Sequence, residues 1–323
     1  MGPIIRAGRS WELLAAMRCL RLAVGLPYVV SFFRHDAYEI LAAFDLQVTS
    51  LICGVLSNPQ YLARVLNACR VGAVKTGFAI WSYSRMAEAP FDPYLAAMAG
   101  SFSRLYDDLL DHGDDRGFDE RFAAFLAGGR PVAACETELL LYRCFDAMRQ
   151  SLSRCPSDPI FRAVSEAHRY QCLSRIQRHR DAANELIDAV ISNKGGYGAV
   201  VWFGLMRRGM TAQEATVVWR IGAVCQLLDD QHDLVIDRSN GILTGATGGR
   251  VGPLDVAREV MRLRKTLAAH YGAARARRFA GLLCILTMGL LARRHEPRLS
   301  EPETPTGPWR ILKGHSFTVT PGQ

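Results

Sequence analysis

The sequence predicts an all-α protein, in one large domain or two ordinary ones. Three observations point there. Apolar residues recur at the helical spacing in almost every segment. Alternating β-branched runs are absent, and no hairpin signal separates two such runs. No self-similarity of solenoid length is visible. The chain has 323 residues, 49% of them hydrophobic, which is enough for a substantial core. The expected division is one domain over residues 1–295 and an irregular, proline-rich tail over 296–323.

Taken in order, residues 1–10 are expected to fray. A first helical region spans Trp11 to about Leu56, broken near Gly25-Leu26-Pro27. Asn58 and Pro59 are a cap and a first helical residue, opening a helix that runs to about Met86. After a turn at Ala89–Pro93, Asp92-Pro93 opens a third helix, on which Ala96, Gly100, Ser103, Asp107 and Asp111 share a stripe. Gly113 and Gly117 end it. Asp119–Leu126 is a short helix, Gly128–Pro131 a turn, and Cys135–Ser153 a further helix. A long helix is expected from Ile160 to about Ser192. The cluster Lys194-Gly195-Gly196-Tyr197-Gly198 should then break or bend the chain, because each glycine costs roughly 1 kcal/mol in a helix interior. Thr211 and Glu214 form a capping box ahead of the next helix, which Ser239-Asn240-Gly241 ends. Residues 245–252 are glycine-rich and read as a mobile loop. Two helices follow, Pro253–His270 and Ala274–Arg294. The tail beyond Glu296 holds five prolines, and Trp309-Arg310 within it could fold back as a lid.

Composition narrows the function. Nine cysteines without a C-x-x-C pair read as reduced thiols of a cytoplasmic protein, not as a disulfide framework or zinc site. The formal charge of +8 suits a solvated basic surface or a polyanionic small substrate. Nucleic acid is disfavoured because no basic-aromatic array is present. The apolar run Phe279–Ala292 is shorter than the roughly 20 residues a bilayer span needs, so stable membrane insertion is not expected.

The chain is organised around Arg104-Leu-Tyr-Asp-Asp-Leu-Leu-Asp-His-Gly-Asp-Asp115, with five carboxylates in nine residues. On a helix Asp107 and Asp111 are one turn apart, and their mutual repulsion asks for a compensating cation. A second stretch, Gln226-Leu-Leu-Asp-Asp-Gln-His-Asp233, repeats the D-D-x-x-D order at Asp229, Asp230 and Asp233, and Asp237 continues its spacing. The flanks of the two stretches do not resemble each other in sequence. Carboxylates without cysteine or consistent histidine spacing select hard cations such as Mg²⁺. Mg²⁺ takes one or two carboxylates and completes its shell with water and phosphate, so acidic residues on two facing helices suit a diphosphate held between them. Arg175, Arg178, Arg180 and Lys194 could hold its other oxygens. Arg180 and Lys194 are about four turns apart on the expected long helix and would share a face. Charge neutralisation on a departing diphosphate allows an allylic C–O bond to ionise, and an apolar, aromatic-lined pocket shields the carbocation. Phe78, Trp81, Phe102, Ser103, Tyr197, Trp202 and Phe203 are candidates for that lining, against ordinary core packing.

These motifs resemble those of the class I isoprenoid synthases, the helical superfamily of trans-prenyltransferases and terpene cyclases. Asp107-Asp-Leu-Leu-Asp111 resembles the first aspartate-rich motif, and Gln226 to Asp233 the second in its prenyltransferase form. Lys194 resembles the lysine that contacts the diphosphate, and Arg116 falls where prenyltransferases carry basic residues. The similarity covers roughly residues 92–237. It implies the isoprenoid synthase fold, a single-domain bundle of roughly ten or more helices around a central apolar cavity, and Mg²⁺ as cofactor, roughly three ions per site. The metal ligands would be Asp107, Asp108, Asp111, Asp229, Asp230 and Asp233. Arg180, Lys194, Arg116, Arg175, Gln226 and Arg310 would hold the diphosphate. A homodimer is plausible by the same resemblance.

Two departures refine it. The glycine-rich basic motif that binds a second diphosphate in chain-elongating enzymes is missing; Arg70-Val-Gly-Ala-Val-Lys75 is a faint echo. The N-S-E motif of many bacterial cyclases is replaced by D-D-x-x-D, as in the prenyltransferase-like group of bacterial terpene synthases. The expectation is therefore a terpene cyclase acting on one linear allylic prenyl diphosphate of C15–C20 or longer. The alternatives are a chain-elongating trans-prenyltransferase and a helical binding protein without chemistry. An EF-hand loop fails on spacing. A histidine-ligated phosphohydrolase using His232 and Asp233 with His179 and Asp237 would leave the Asp107 stretch without a role.

Overall fold

A computed structural model describes residues 26–112, 117–154, 158–179 and 181–293. The described residues form helices and connecting turns, with no strand among them. Helix α1 covers residues 26–53 and contains two π-helical turns, Phe32–Asp36 and Phe44–Val48. It is followed by α2 (Pro59–Ala87), α3 (Pro93–His112), α4 (Gly117–Leu126) and α5 (Glu136–Leu152). Next come α6 (Pro159–Leu173) with a 3₁₀ turn at Ser174–Arg178, then α7 (Asn184–Met206), α8 (Ala212–His232) and the short α9 (Leu234–Ser239). Helices α10 (Pro253–Tyr271) and α11 (Ala273–Arg293) close the described chain.

The helix starts follow local chemistry. Asn58 accepts from the Gln60 and Tyr61 amides at 3.0 Å, with Pro59 as first helical residue. Asp92 accepts from the Tyr94 and Leu95 amides at 2.9 and 3.1 Å. Thr211 accepts from the Glu214 amide at 3.1 Å. The other half of that capping box is not made. The Glu214 carboxylate instead enters the core, where it accepts from the hydroxyls of Tyr83 (3.0 Å) and Tyr271 (3.3 Å) and from Arg207 Nε (3.1 Å). A buried anion is tolerated only with such partners, and these tie α2, α8 and α10 together. Glu138 is held likewise by Arg121, the Tyr142 hydroxyl and the Ala134 amide. In α11, Phe279, Leu283, Cys284 and Leu290 are buried, as expected of a core helix. No helix among the described residues is long and apolar enough to cross a membrane.

Two antiparallel helix pairs frame the bundle, α2 with α3 and α7 with α8. Both cross at facing glycines. A Cβ on Gly100 would lie 2.4 Å from the Gly72 carbonyl oxygen, and one on Gly222 would lie 2.1 Å from that of Gly195. No side chain fits either crossing.

Those contacts correct several expectations. The glycine cluster at 195–198 does not break the helix; it lies inside α7. Gly195 abuts Gly222 and Gln226, and Gly196 abuts the Trp219 indole, so close packing with α8 offsets the propensity cost. The break falls earlier, in residues 174–183, so residues 160–192 are not one helix. The helix of the second acidic stretch ends at His232, not at Ser239. Residues 245–252 form turns, packed at one end. Thr244, Gly245 and Ala246 are buried, and the Arg250 and Val251 amides both bond the Gly245 carbonyl at 2.9 Å. Trp11, the 1–10 segment, Gly113 and the tail with Arg310 lie outside the described residues.

The crossings predict opposite responses to one substitution. Gly222→Ala forces α7 and α8 apart and should cost about 1–3 kcal/mol by urea unfolding. Gly198→Ala, with nothing within 4 Å of its added Cβ, should be neutral or stabilise by up to about 1 kcal/mol. Equal effects would show that the crossing is not tightly packed.

Candidate functional site

Helix α7 touches both helices that carry the acidic stretches. The Asp92 amide, at the start of α3, donates to Met206 Sδ at the end of α7 at 3.3 Å. Farther along α3, Ser103 Oγ accepts from Trp202 Nε1 at 3.1 Å. Helix α3 therefore advances as α7 runs backward, and α8 does the same after its short connection. The C-terminal halves of α3 and α8, which carry the acidic residues, both lie toward the end of the bundle where α7 begins.

The two stretches also share a register relative to the crossings. From Gly100, position +4 is Arg104, +7 and +8 are Asp107 and Asp108, and +11 is Asp111. From Gly222 the same offsets give Gln226, Asp229, Asp230 and Asp233. The flanks that look unrelated in sequence are thus built alike, around glycines whose partners, Gly72 and Gly195, lie in other helices. In each doublet the outer aspartate, Asp107 or Asp229, is exposed. The inner one is held by the residue four positions earlier. Gln226 Nε2 donates to Asp230 Oδ1 at 3.0 Å, and Arg104 Nη2 forms an ion pair with Asp108.

Asp230 is 6% exposed, and its Oδ2 is buried without a hydrogen-bond donor. Burial pushes its pKa up to about 6, with Asp229 and Asp237 adding repulsion while Gln226 and Lys194 oppose the rise. Burial and Asp229 also raise Asp237, and Lys194 again opposes. Lys194 therefore faces the second stretch from α7. Asp233 sits between α8 and α9 at φ −91° and ψ 3°, a sparsely used conformation common at functional sites. Asp233 and Asp237 do not extend one continuous helical stripe.

Beside the first stretch, the Tyr106 hydroxyl lies 2.6 Å from His168 Nδ1, and His168 Nε2 lies 3.0 Å from the Asp119 carbonyl. A carbonyl only accepts, so Nε2 carries the proton and Tyr106 donates to Nδ1. Burial lowers the His168 pKa, in keeping with a neutral ring. The Asp119 carboxylate is engaged by both terminal nitrogens of Arg175. Arg175 is thus committed to α4 and stands on the 3₁₀ turn, not on the helix of Lys194.

The remaining candidates fall in separate places. Ser103 and Trp202 are brought together, one turn before Asp107. Tyr197 stacks on Tyr170 at 5.8 Å between α7 and α6. Phe102 belongs to an aromatic cluster with Tyr106, Phe122 and Phe145. Phe78 and Trp81 pack with Tyr28 and Phe32 between α1 and α2. Phe203 stacks on Tyr83 at 4.4 Å, deep in the core. Arg178 is exposed on the 3₁₀ turn. Arg116, Arg180 and Arg310 lie outside the described residues, as does the Asp111 side chain. Arg180 and Lys194 share no helix, because α7 begins at Asn184. Arg104 and the Tyr106–His168 pair went unnoticed in sequence. The i,i+4 spacing of Arg104 and Asp108 was the available signal for the first; nothing local marks the second, which spans 62 positions.

Comparison with family models, curated proteins and solved structures finds no match. The chemical reading rests on the residues themselves.

They are suited to a hard divalent cation. All the donors are carboxylate oxygens, and Asp230 Oδ2 is a buried anionic oxygen without a hydrogen-bond donor. Among the described residues no three His, Cys, Asp or Glu side chains converge as a ready cage. Mg²⁺ does not require one, since water and phosphate complete its shell.

The raised Asp230 pKa fixes a sign. Its folded-state value lies above the unfolded one, so its contribution to stability is most favourable below about pH 4 and is lost as pH rises through about 6. Asp230→Asn should therefore be more stable than the parent at pH 7 in metal-free buffer, on the order of 1–3 kcal/mol, with the difference vanishing below about pH 4. Urea unfolding at a series of pH values checks this; a variant less stable at pH 7 would show that ionised Asp230 is well solvated or paired.

Proposed function

We propose that this chain is a class I terpene synthase that ionises one linear allylic prenyl diphosphate, C15–C20 or longer, cyclises the carbocation and releases diphosphate. The observation that carries the reading is the repeated register. Two D-D-x-x-D stretches stand at the same offset from two glycine crossings, at the same end of the bundle, with Lys194 facing one of them. An incidental acidic helix end has no reason to recur in that form.

The roles follow from residue chemistry. Asp107, Asp111, Asp229, Asp230 and Asp233 would hold Mg²⁺, which when bound supplies Lewis-acid neutralisation of the leaving diphosphate. Lys194 would add a direct contact to a diphosphate oxygen from α7. Ser103 and Trp202 sit one turn before Asp107, where the tethered indole offers an aromatic face to a cation. Exclusion of water there would prevent premature capture of the carbocation.

Cyclisation is favoured over chain elongation by the environment of Arg70-Val-Gly-Ala-Val-Lys75. This segment lies inside α2, with Gly72 committed to the α3 crossing. Arg70 pairs with Asp45 and covers the Phe44 ring at 5.5 Å. It supplies no open basic loop for a second diphosphate.

Incubation with farnesyl or geranylgeranyl diphosphate and Mg²⁺ should release diphosphate and a hydrocarbon or alcohol without a second substrate. Product analysis by mass spectrometry reads this. Release only when isopentenyl diphosphate is added would assign chain elongation, and no release with any prenyl diphosphate would leave a binding protein. Asp107→Ala and Asp229→Ala should each lower turnover at least about a hundredfold with far-UV circular dichroism unchanged. Wild-type product formation by either would remove that stretch from the site. Lys194→Ala should weaken substrate binding about tenfold; an unchanged affinity would remove Lys194 from the diphosphate contacts.

A further inference from the structure

The equivalence of the two acidic stretches extends to the residues that grip them, and there it ends in a difference of charge. A Cβ on Gly72 would meet the Gly100 carbonyl and then Arg104 Cβ at 3.4 Å. A Cβ on Gly195 would meet the Gly222 carbonyl and then Gln226 Cβ at 2.7 Å. Arg104 and Gln226 thus occupy the same place in the two helix pairs, and each holds the inner aspartate of its own doublet. The holder in α8 is a neutral amide, and the cation facing that doublet, Lys194, comes from the neighbouring helix just before Gly195. At the matching place before Gly72, α2 has Val71. The holder in α3 is itself the cation.

We infer that Arg104 is a positioning residue of the first stretch: its guanidinium holds Asp108 toward its own helix and lowers that stretch's affinity for a divalent cation until a diphosphate arrives. The inference rests on the reading that the acidic stretches hold Mg²⁺ and diphosphate. Arg104 and Asp108 are each about a third exposed, at 31% and 30%, so the pair is open to exchange. A guanidinium offers five N–H donors in a planar fork that fits phosphate as well as carboxylate. A bound diphosphate would therefore compete for the fork, offset its charge and loosen its hold on Asp108. The second stretch has no such internal cation on its own helix. The two stretches are then unequal before substrate binds and become alike after it. One positive charge roughly 6 Å from a bound cation, at an effective dielectric between protein and water, changes affinity by about tenfold.

The test uses Mn²⁺ as a paramagnetic substitute for Mg²⁺, titrated onto the purified full chain and followed by electron paramagnetic resonance, with and without inorganic diphosphate. Without diphosphate, R104Q should bind Mn²⁺ at its weaker site about tenfold more tightly than wild type. It should also lose most of the tightening that diphosphate brings. R104K keeps the charge and should stay within about twofold of wild type. R104K behaving like R104Q would assign Arg104 to packing and overturn the inference. Where circular dichroism shows R104Q unfolded, Q226R puts the same charge in the second stretch and should weaken Mn²⁺ binding there about tenfold. Unchanged isotherms in the folded variants would overturn the inference while leaving the enzyme reading standing. Failure of wild type to bind Mn²⁺ at all, with or without diphosphate, would overturn both.

Discussion

The bundle depends on two places where backbone meets backbone. At Gly72–Gly100 and at Gly195–Gly222 the helices approach so closely that an added Cβ would lie 2.1–2.7 Å from a carbonyl oxygen. Dense packing of this kind fixes the rotation of each helix about its axis as well as its separation from its partner. Rotation decides how the acidic residues are presented. The acidic doublets stand two turns beyond the crossing glycines, so the crossing determines which aspartate is buried and which is exposed. Shifting either helix by one residue would turn the doublet by about 100°.

Most of the fold was legible in the sequence because helix starts are local chemistry. Asn58-Pro59, Asp92-Pro93 and the Thr211 cap each act within a few residues, and the helices begin where those residues say. The failures share a cause. Gly195 and Gly196 look like a break because propensity is counted along the chain, whereas their compensation comes from Gly222 and Trp219 across a helix interface. Glu214 looks like half of a capping box because Thr211 is near in sequence. Its carboxylate is claimed by Tyr83 and Tyr271, which are 131 and 57 positions away.

The site was legible in the same uneven way. The carboxylates and Lys194 announce themselves by type and spacing, and the structure places Lys194 against Asp230 and Asp237. The aromatic candidates were harder to place, since a ring at helical spacing fits a core as well as a cavity. Trp81 and Phe203 serve the core, 2% and 3% exposed, whereas Trp202 reaches across to Ser103. Arg175 shows what spacing along the chain leaves out: it pairs with Asp119 on α4, an acid outside both motifs.

The position of the carboxylates along their helices bears on whether they are there for stability. Asp107, Asp108 and Asp111 occupy the last two turns of α3, and Asp229 and Asp230 the last turn of α8. A helix C-terminus carries negative partial charge, so anions there are unfavourable by about 0.3–1 kcal/mol each at exposed positions. Their mutual repulsion adds to this, and Asp230 is buried besides. Selection for stability alone would place Lys or Arg at these ends. Both helices carry the opposite pattern; Arg104 pairs with Asp108 in the first, and Lys194 faces Asp230 and Asp237 in the second. A local penalty imposed twice, at equivalent distances from the two crossings, is the pattern expected of residues kept for something other than helix stability.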